Sequence, residues 1–524
     1  MAGNISDFEE KIRNHFNDHQ WYLKVKENSE IGSIATSGEY ERKDLISLRR
    51  KLDNDYLDRF ATPGENLFGL IAYLQLRVLL EPDPGMYEDF LNEIDINDLP
   101  LENKYFLWAQ CRNMQFTTAS IISDKTDTIY MKIYKDLVEE YKSSVSVSLG
   151  PIPISERNAN GVVIFTSQFV TIAHGPTKSC FYRAKALIQE ENKDVMIINT
   201  NDLMPDHGIV PLFRMGIHNS NKILDDANNV MDDDVKIPYF QCDTRMPNVD
   251  IINVILETVR ELKPKFIVNI GGFNITANLA NDIIPVVCIG MGPSQLQYDY
   301  TDYFTCSLKL TDDVYKKLEK YGGKRDALIP SVFTSDLKDQ TEHHTRSEYN
   351  IPEDKTIFGV VGGRLDSEVN EEFIGCMKKC LTEDMLVVFM GTFKNYNSVC
   401  ERDQWFKEHT MFIGFVKDIL SHMELCDIYL NPTRLGGGTS SVEAMSKGVV
   451  PVTINFGDVA YNVGEDFVLE NYDQMAEKIR KLVDDHEYYK EMSQKAKERA
   501  AFLCDTKHRF IETIHELERR IEEN

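Results

Sequence analysis

Between Cys426 and Ile454 the sequence CDIYLNPTRLGGGTSSVEAMSKGVVPVTI gathers residues suited to holding a diphosphate. An apolar strand ends at Asn431-Pro432 and three glycines follow, Gly436, Gly437 and Gly438. Glycine lets a backbone approach a ligand closely and take a positive φ. Thr439 or Ser440 is then placed to cap the helix TSSVEAMSKG, which Gly448 is expected to end. The amides and hydroxyls of a helix start attract phosphate. Glu443 lies one turn further on, where its carboxylate can accept hydrogen bonds from ribose hydroxyls. A capped helix preceded by a turn of glycines accounts for the same residues without a ligand.

Other residues could complete such a site. His174, in TIAHGPTKSC, has an unperturbed pKa of about 6.5 and can contact phosphate or take a proton; both roles stay open. Arg364, in VVGGRLDSE, closes a strand and can offset the charge that builds on a departing diphosphate. Lys417 is a candidate second cation, or simply an exposed lysine at a helix start. Gly272 and Gly292 end the strands KFIVNIGG and PVVCIGMG and are expected to line the binding region. No metal site is predicted. Asp232 and Asp234 form a D-x-D, but within a polar stretch (223–236) that reads as a solvated loop, and Cys376 and Cys380 share a helix face without further ligands nearby.

The elements that must position these residues follow from periodicity. Up to about residue 155 the apolar spacing is helical, as in 44–61, 65–80 and 128–142. From Gly161 buried strands alternate with helices, and after the polar run at 335–355 the same rhythm restarts. That is the pattern of parallel, doubly wound sheets. The expected architecture is α/β: an all-helical domain (1–155), a first Rossmann-like domain (156–335), and a second (336–524) that ends in helices. The two Rossmann-like halves are expected to face a cleft. A length of 524 residues calls for more than one core, since single cores stop growing at roughly 250–300 residues.

The 58 basic and 84 acidic residues give a net charge of −26, which disfavours broad binding to nucleic acids or anionic bilayers. A phosphorylated ligand must then be held by local devices. Ten scattered cysteines without C-x-x-C spacing suit reduced thiols in the cytoplasm. The polar start reads as neither signal peptide nor anchor, and no run of 18 apolar residues is present.

The segment 426–454 resembles the donor-binding motif of the O-GlcNAc transferase family and its bacterial protein-glucosyltransferase relatives, with Asp427, Gly438, Thr439, Ser440, Glu443, Ala444, Gly448, Pro451 and Val452 in the corresponding places. Glutamate stands where that family has aspartate. Residues 263–294 and 162–181 resemble two further motifs of the family, the latter including His174, so the resemblance spans roughly 160–500. It implies a family 41-like glycosyltransferase of GT-B fold. The implied reaction transfers a hexosyl or N-acetylhexosaminyl group from a UDP-sugar to a protein side chain with inversion. UDP-sugar is then a co-substrate, with no cofactor and no metal needed. The helical domain would bind a polypeptide acceptor, an oligomer partner or a partner subunit.

Ser367 stands where the resemblance calls for a lysine, and G-R-L-D is closer to retaining GT-B enzymes that act on glycans. Their E-x7-E motif is absent, because Leu435 occupies its first position. A third reading is a non-catalytic GT-B subunit that binds acceptor beside a partner transferase.

Overall fold

The computed structural model describes residues 4–18, 25–60, 67–172, 174–205, 220–232, 234–243, 245–293, 296 and 298–523. Of the segments read from sequence, Ala61, Glu65, Asn66, Ala173, Asp233 and Ser294 lie outside these. By contacts the chain forms two units. The N-terminal unit comprises 2–291, 296–330 and 510–524; the C-terminal unit comprises 331–509 with a short stretch from Gly292.

Among the described residues the N-terminal unit opens with seven α-helices: Ile5–Asn17, Val25–Ala35, Arg42–Phe60, Leu67–Leu80, Pro84–Ile96, Leu101–Thr117 and Asp124–Ser144. Their starts are encoded locally. Asp83 caps the helix that Pro84 opens, and Ser123 with Thr126 forms a capping box. The strands that follow are β1 (Asn158–Thr166), β2 (Asp194–Asn199), β3 (Asn229–Asp232), β4 (Val235–Gln241), β5 (Pro264–Ile270), β6 (Val286–Ile289), β7 (Tyr303–Cys306) and β8 (Leu328–Pro330). They form one sheet in the order β3-β4-β2-β1-β5-β6-β7-β8, parallel except for the β3–β4 pair.

The second half of the stretch expected to be a solvated loop (223–236) belongs instead to that antiparallel hairpin, with Val230 opposite Ile237. Val230, Ile237 and Tyr239 point inward with the period of two that strands require, a signal hidden beneath the acidic run. Asp232 is buried 3.6 Å from Lys185 while Asp234 is exposed. Among the described residues no cluster of His, Cys, Asp or Glu could hold a metal ion.

Helices and first sheet share one apolar core that runs from Phe8 through Trp108 to Leu328. Its centre is aromatic. Trp108 is fully buried, with Tyr134 at 4.5 Å, Tyr130 at 5.1 Å and Phe273 at 5.4 Å between ring centroids. Arg112 lies over the Trp108 ring and donates to the Phe273 carbonyl. This cage holds Phe273 at φ +50°, directly after Gly271 and Gly272, which are also left-handed.

The C-terminal unit has strands β9 (Thr356–Gly362), β10 (Met385–Gly391), β11 (Thr410–Phe412), β12 (Ile428–Leu430), β13 (Val450–Ile454) and β14 (Val468–Leu469). All are parallel, in the order β11-β10-β9-β12-β13-β14. Three helices follow, Tyr472–Asp484, His486–Cys504 and Thr506–Glu523. Rhythm alone groups them all with the second sheet, yet Phe510, Ile514, Leu517 and Ile521 of the last one pack with Val162, Ile164, Phe266 and Val268 of the first. Lys193 and Glu518 pin that contact at 2.7 Å. All ten cysteines are free, and among the described residues no helix is long and apolar enough to cross a membrane.

Because the cage belongs to both the helices and the sheet, Trp108→Ala is expected to cost about 3–5 kcal/mol. Hydrogen exchange should show the helix Leu101–Thr117 and β5 opening at the same free energy; separate opening of the helices would contradict a shared core.

Candidate functional site

In an open parallel sheet, ligands bind beyond the carboxyl ends of the strands where the strand order reverses. In the C-terminal unit that reversal lies at β9, which has β10 on one side and β12 on the other. The loops after β9 and β12 carry Arg364 and the glycine run.

Arg434, in the loop after β12, is the residue that sequence reasoning missed. Its guanidinium is buried and donates from all three nitrogens. Nε donates to Asn431 Oδ1 (2.8 Å), Nη1 to the Val361 carbonyl (2.7 Å) and Glu368 Oε2 (3.1 Å), and Nη2 to the Tyr429 hydroxyl (2.8 Å). Burial alone would lower its pKa; Tyr429 and Glu368 outweigh that and raise it, so the charge is kept. Glu368 also accepts from Arg364 Nε at 3.1 Å.

The glycines follow from this arginine. A Cβ on Gly437 would lie 2.7 Å from Arg434 Nε, and one on Gly362 would lie 2.8 Å from its Nη1. Gly437 also has φ +93°. Around them, Gly391 (φ +123°) passes so close to the Gly362 carbonyl that a Cβ would sit 2.0 Å from it, and Gly457 makes the same approach to the Arg434 carbonyl at 2.1 Å.

The helix spans Gly438–Ser446 with Gly437 as its N-cap, so neither Thr439 nor Ser440 caps it. The left-handed turn over Arg434 starts the helix earlier than the hydroxyl residues imply. Ser440 falls in its first turn, where its Oγ donates to the Gly437 carbonyl (2.8 Å) and lies 2.9 Å from the Tyr429 hydroxyl. Thr439 is exposed and Glu443 is half-buried. The first amides of a helix have no intrahelical acceptor and point outward from its start. Gly448, with φ +78°, follows the helix end as expected.

Arg364 and the glycine run are brought together: Arg364 Nη2 is 3.5 Å from where a Gly436 Cβ would be. Lys417 is exposed in the loop after β11, two strands from β9, or roughly 10 Å at normal strand spacing. Asp427 stands at the amino end of β12, where it accepts from Arg346 (2.9 Å) and the Ile357 amide (2.7 Å); this is a structural role.

His174 and Gly272 lie in the N-terminal unit, after β1 and β5, which flank the reversal of its own sheet. His174 is the N-cap of the helix Gly175–Glu190; its Nδ1 is buried without a hydrogen-bond partner among the described residues, and burial lowers its pKa. Gly272 (φ +68°) is buried against Cys288 and Asp299. Asn274 Nδ2 ties the β1, β2 and β5 loops by donating to Ser167 (3.3 Å) and Thr200 (2.8 Å). Gly292 belongs to the short stretch after β6 that groups with the C-terminal unit.

Two parallel sheets and a preceding helical region make this a GT-B fold. Residues 342–499 match the family described as Glycosyl transferases group 1, and the chain is a glycosyltransferase. Comparison with curated proteins finds no match. Among solved structures, a mutant of the Thermobaculum terrenum O-GlcNAc transferase aligns with 99% of this chain and 98% of its own at 12% identity and a TM-score of 0.55. A glycosyltransferase from Rickettsia africae ESF-5 aligns with 70% of this chain and 100% of its own, at 13% identity and a TM-score of 0.51. At these identities the likeness is one of fold.

Gly437→Ala is expected to destabilise the C-terminal unit by about 1–2 kcal/mol from its left-handed backbone alone. Gly436→Ala, whose Cβ meets only an ordinary contact, should leave denaturant midpoints nearly unchanged.

Proposed function

We propose that the chain transfers a hexosyl or N-acetylhexosaminyl group from a UDP-sugar to a protein side chain, with inversion at the anomeric carbon. The observation that carries this reading is the helix start at Gly438 opening over a left-handed glycine turn with the Arg364 guanidinium beside it. The amides of Gly438, Thr439 and Ser440, the Thr439 hydroxyl and Arg364 would hold the diphosphate. Glu443 would take the ribose hydroxyls. Lys417 would add a distant positive charge.

In the reaction the acceptor oxygen or nitrogen bonds to the anomeric carbon from the face opposite UDP, the bond from that carbon to the phosphate oxygen breaks, and the acceptor proton leaves to a base. Negative charge on UDP grows as that bond stretches, and fixed donors stabilise it without reorganising. His174 is suited to accept the proton, because partial burial lowers its pKa and keeps the imidazole neutral near pH 7. The Thermobaculum terrenum neighbour is an O-GlcNAc transferase, which supports sugar transfer to an oxygen acceptor. Residues 1–155 would serve as the acceptor-binding module and Gly272 and Gly292 as loop glycines lining the sugar and acceptor. Ser367 in place of the expected lysine, together with Arg364 in G-R-L-D, favours a second reading, retention of configuration. A product of the same anomeric configuration as the donor would establish it.

Ligand that binds only folded protein raises its stability. A hundredfold excess of UDP over its Kd should therefore raise the melting temperature of the C-terminal unit by roughly 5–10 °C, with GDP and TDP giving less. Glu443→Ala should weaken UDP binding about tenfold while the free protein keeps its fold. No shift with any nucleotide would defeat the donor reading.

With His174 as base, kcat/KM should fall only as pH drops through a value below 6.5, since the imidazole must be neutral to work and burial lowers its pKa. His174→Gln should remove that acid limb; an unchanged profile would take the residue out of proton transfer.

A further inference from the structure

Arg364 and the glycine turn approach the proposed diphosphate from different strands, yet a chain of buried side chains connects them. Arg364 Nε donates to Glu368 Oε1 (3.1 Å); Glu368 Oε2 accepts from Arg434 Nη1 (3.1 Å); Arg434 Nη2 donates to the Tyr429 hydroxyl (2.8 Å). That hydroxyl lies 2.9 Å from Ser440 Oγ, and Ser440 Oγ donates to the Gly437 carbonyl (2.8 Å).

The proton order of this chain is fixed. A guanidinium can only donate, so the Tyr429 oxygen accepts and its own hydrogen is left for Ser440 Oγ. Ser440 has its hydrogen committed to Gly437. Its hydroxyl is therefore spent inside the protein rather than offered to a phosphate. Two guanidiniums share one carboxylate, so the assembly carries one net positive charge, and Arg364 is its exposed end: its side chain is 37% exposed against 4% for Arg434 and 7% for Glu368.

We propose that Glu368, Arg434 and Tyr429 are positioning residues that set Arg364 and the Gly437 turn at a fixed separation, making one preformed cradle for a diphosphate out of two loops. The proposal rests on the donor reading above and adds to it which residues hold the cradle and how. Tyr429 is the most informative member, because one hydroxyl connects the arginine pair to the helix start and Phe preserves its shape. Severing the chain there removes the hydrogen-bonded connection between the arginine pair and the helix start, leaving only packing against Arg434.

The test is a set of double-mutant cycles read as UDP affinity by titration calorimetry, with melting temperatures recorded on the unliganded variants. Tyr429→Phe is expected to weaken UDP binding about tenfold in the otherwise natural protein and no more than about threefold in an Arg364→Ala background. Ser440→Ala should act like Tyr429→Phe, and the two together should lose no more than either alone. Inorganic pyrophosphate, used in place of UDP, should show the same non-additivity, since the cradle addresses the diphosphate. Losses that multiply in either cycle, or a Tyr429→Phe protein that binds UDP as tightly as the natural one, overturn the relay while leaving the donor reading in place. A natural protein that binds no UDP overturns both.

Discussion

The C-terminal unit is organised around a buried charge. A guanidinium taken out of water has to recover its lost hydration from the protein, and removing one partner from such a pair costs about 3–5 kcal/mol. Arg434 recovers it from a carboxylate, a carbonyl, an amide oxygen and a phenol contributed by the β9 and β12 regions. Every neighbouring loop is shaped to that requirement. The backbone passes so near the guanidinium that side chains are excluded at Gly362 and Gly437, and the loop after β13 can reach the Arg434 carbonyl only through Gly457. The glycine run is thus a consequence of packing as much as a surface for a ligand.

The N-terminal unit solves a different problem by apolar means. Its β5 loop bends through three successive left-handed residues, the last of them a phenylalanine, a conformation that costs a side-chain-bearing residue on the order of 1–2 kcal/mol. Trp108, Tyr130 and Tyr134, supplied by the helices, offset this by enclosing the ring. The helical region is therefore part of what shapes the loop at the reversal of the first sheet, where Asn274 joins three strand ends.

What the sequence disclosed was periodic or local: two runs of buried strands alternating with helices, the helical opening, the glycine run and the Gly448 stop. Arg364 was legible because it closes a strand next to glycines. Arg434 was not, although it directly precedes Leu435, where an E-x7-E motif would carry its first acid. Its meaning depends on Glu368, 66 residues away, and no local pattern marks a salt bridge of that span. The shift of the N-cap to Gly437 has the same cause, since capping preferences favour hydroxyls and only the arginine beneath the turn overrides them. The hairpin at 229–241 was masked by composition, its inward alternation diluted by five aspartates between Asp225 and Asp234. Asp427 was legible as a motif residue near the start of a strand, but its bonds to Arg346 and Ile357, 81 and 70 residues away, were not.

The final helix carries a consequence for how the molecule is made. Its apolar stripe, Phe510, Ile514, Leu517 and Ile521, covers strands of the first sheet, and 325 residues separate Lys193 from the Glu518 that anchors it. A ribosome working at about 5–20 residues per second leaves Val162, Ile164, Phe266 and Val268 without that cover until the second sheet has been synthesised. The nascent chain thus exposes a greasy flank for tens of seconds, the kind of surface that folding helpers grasp and that a premature stop codon would leave bare for good.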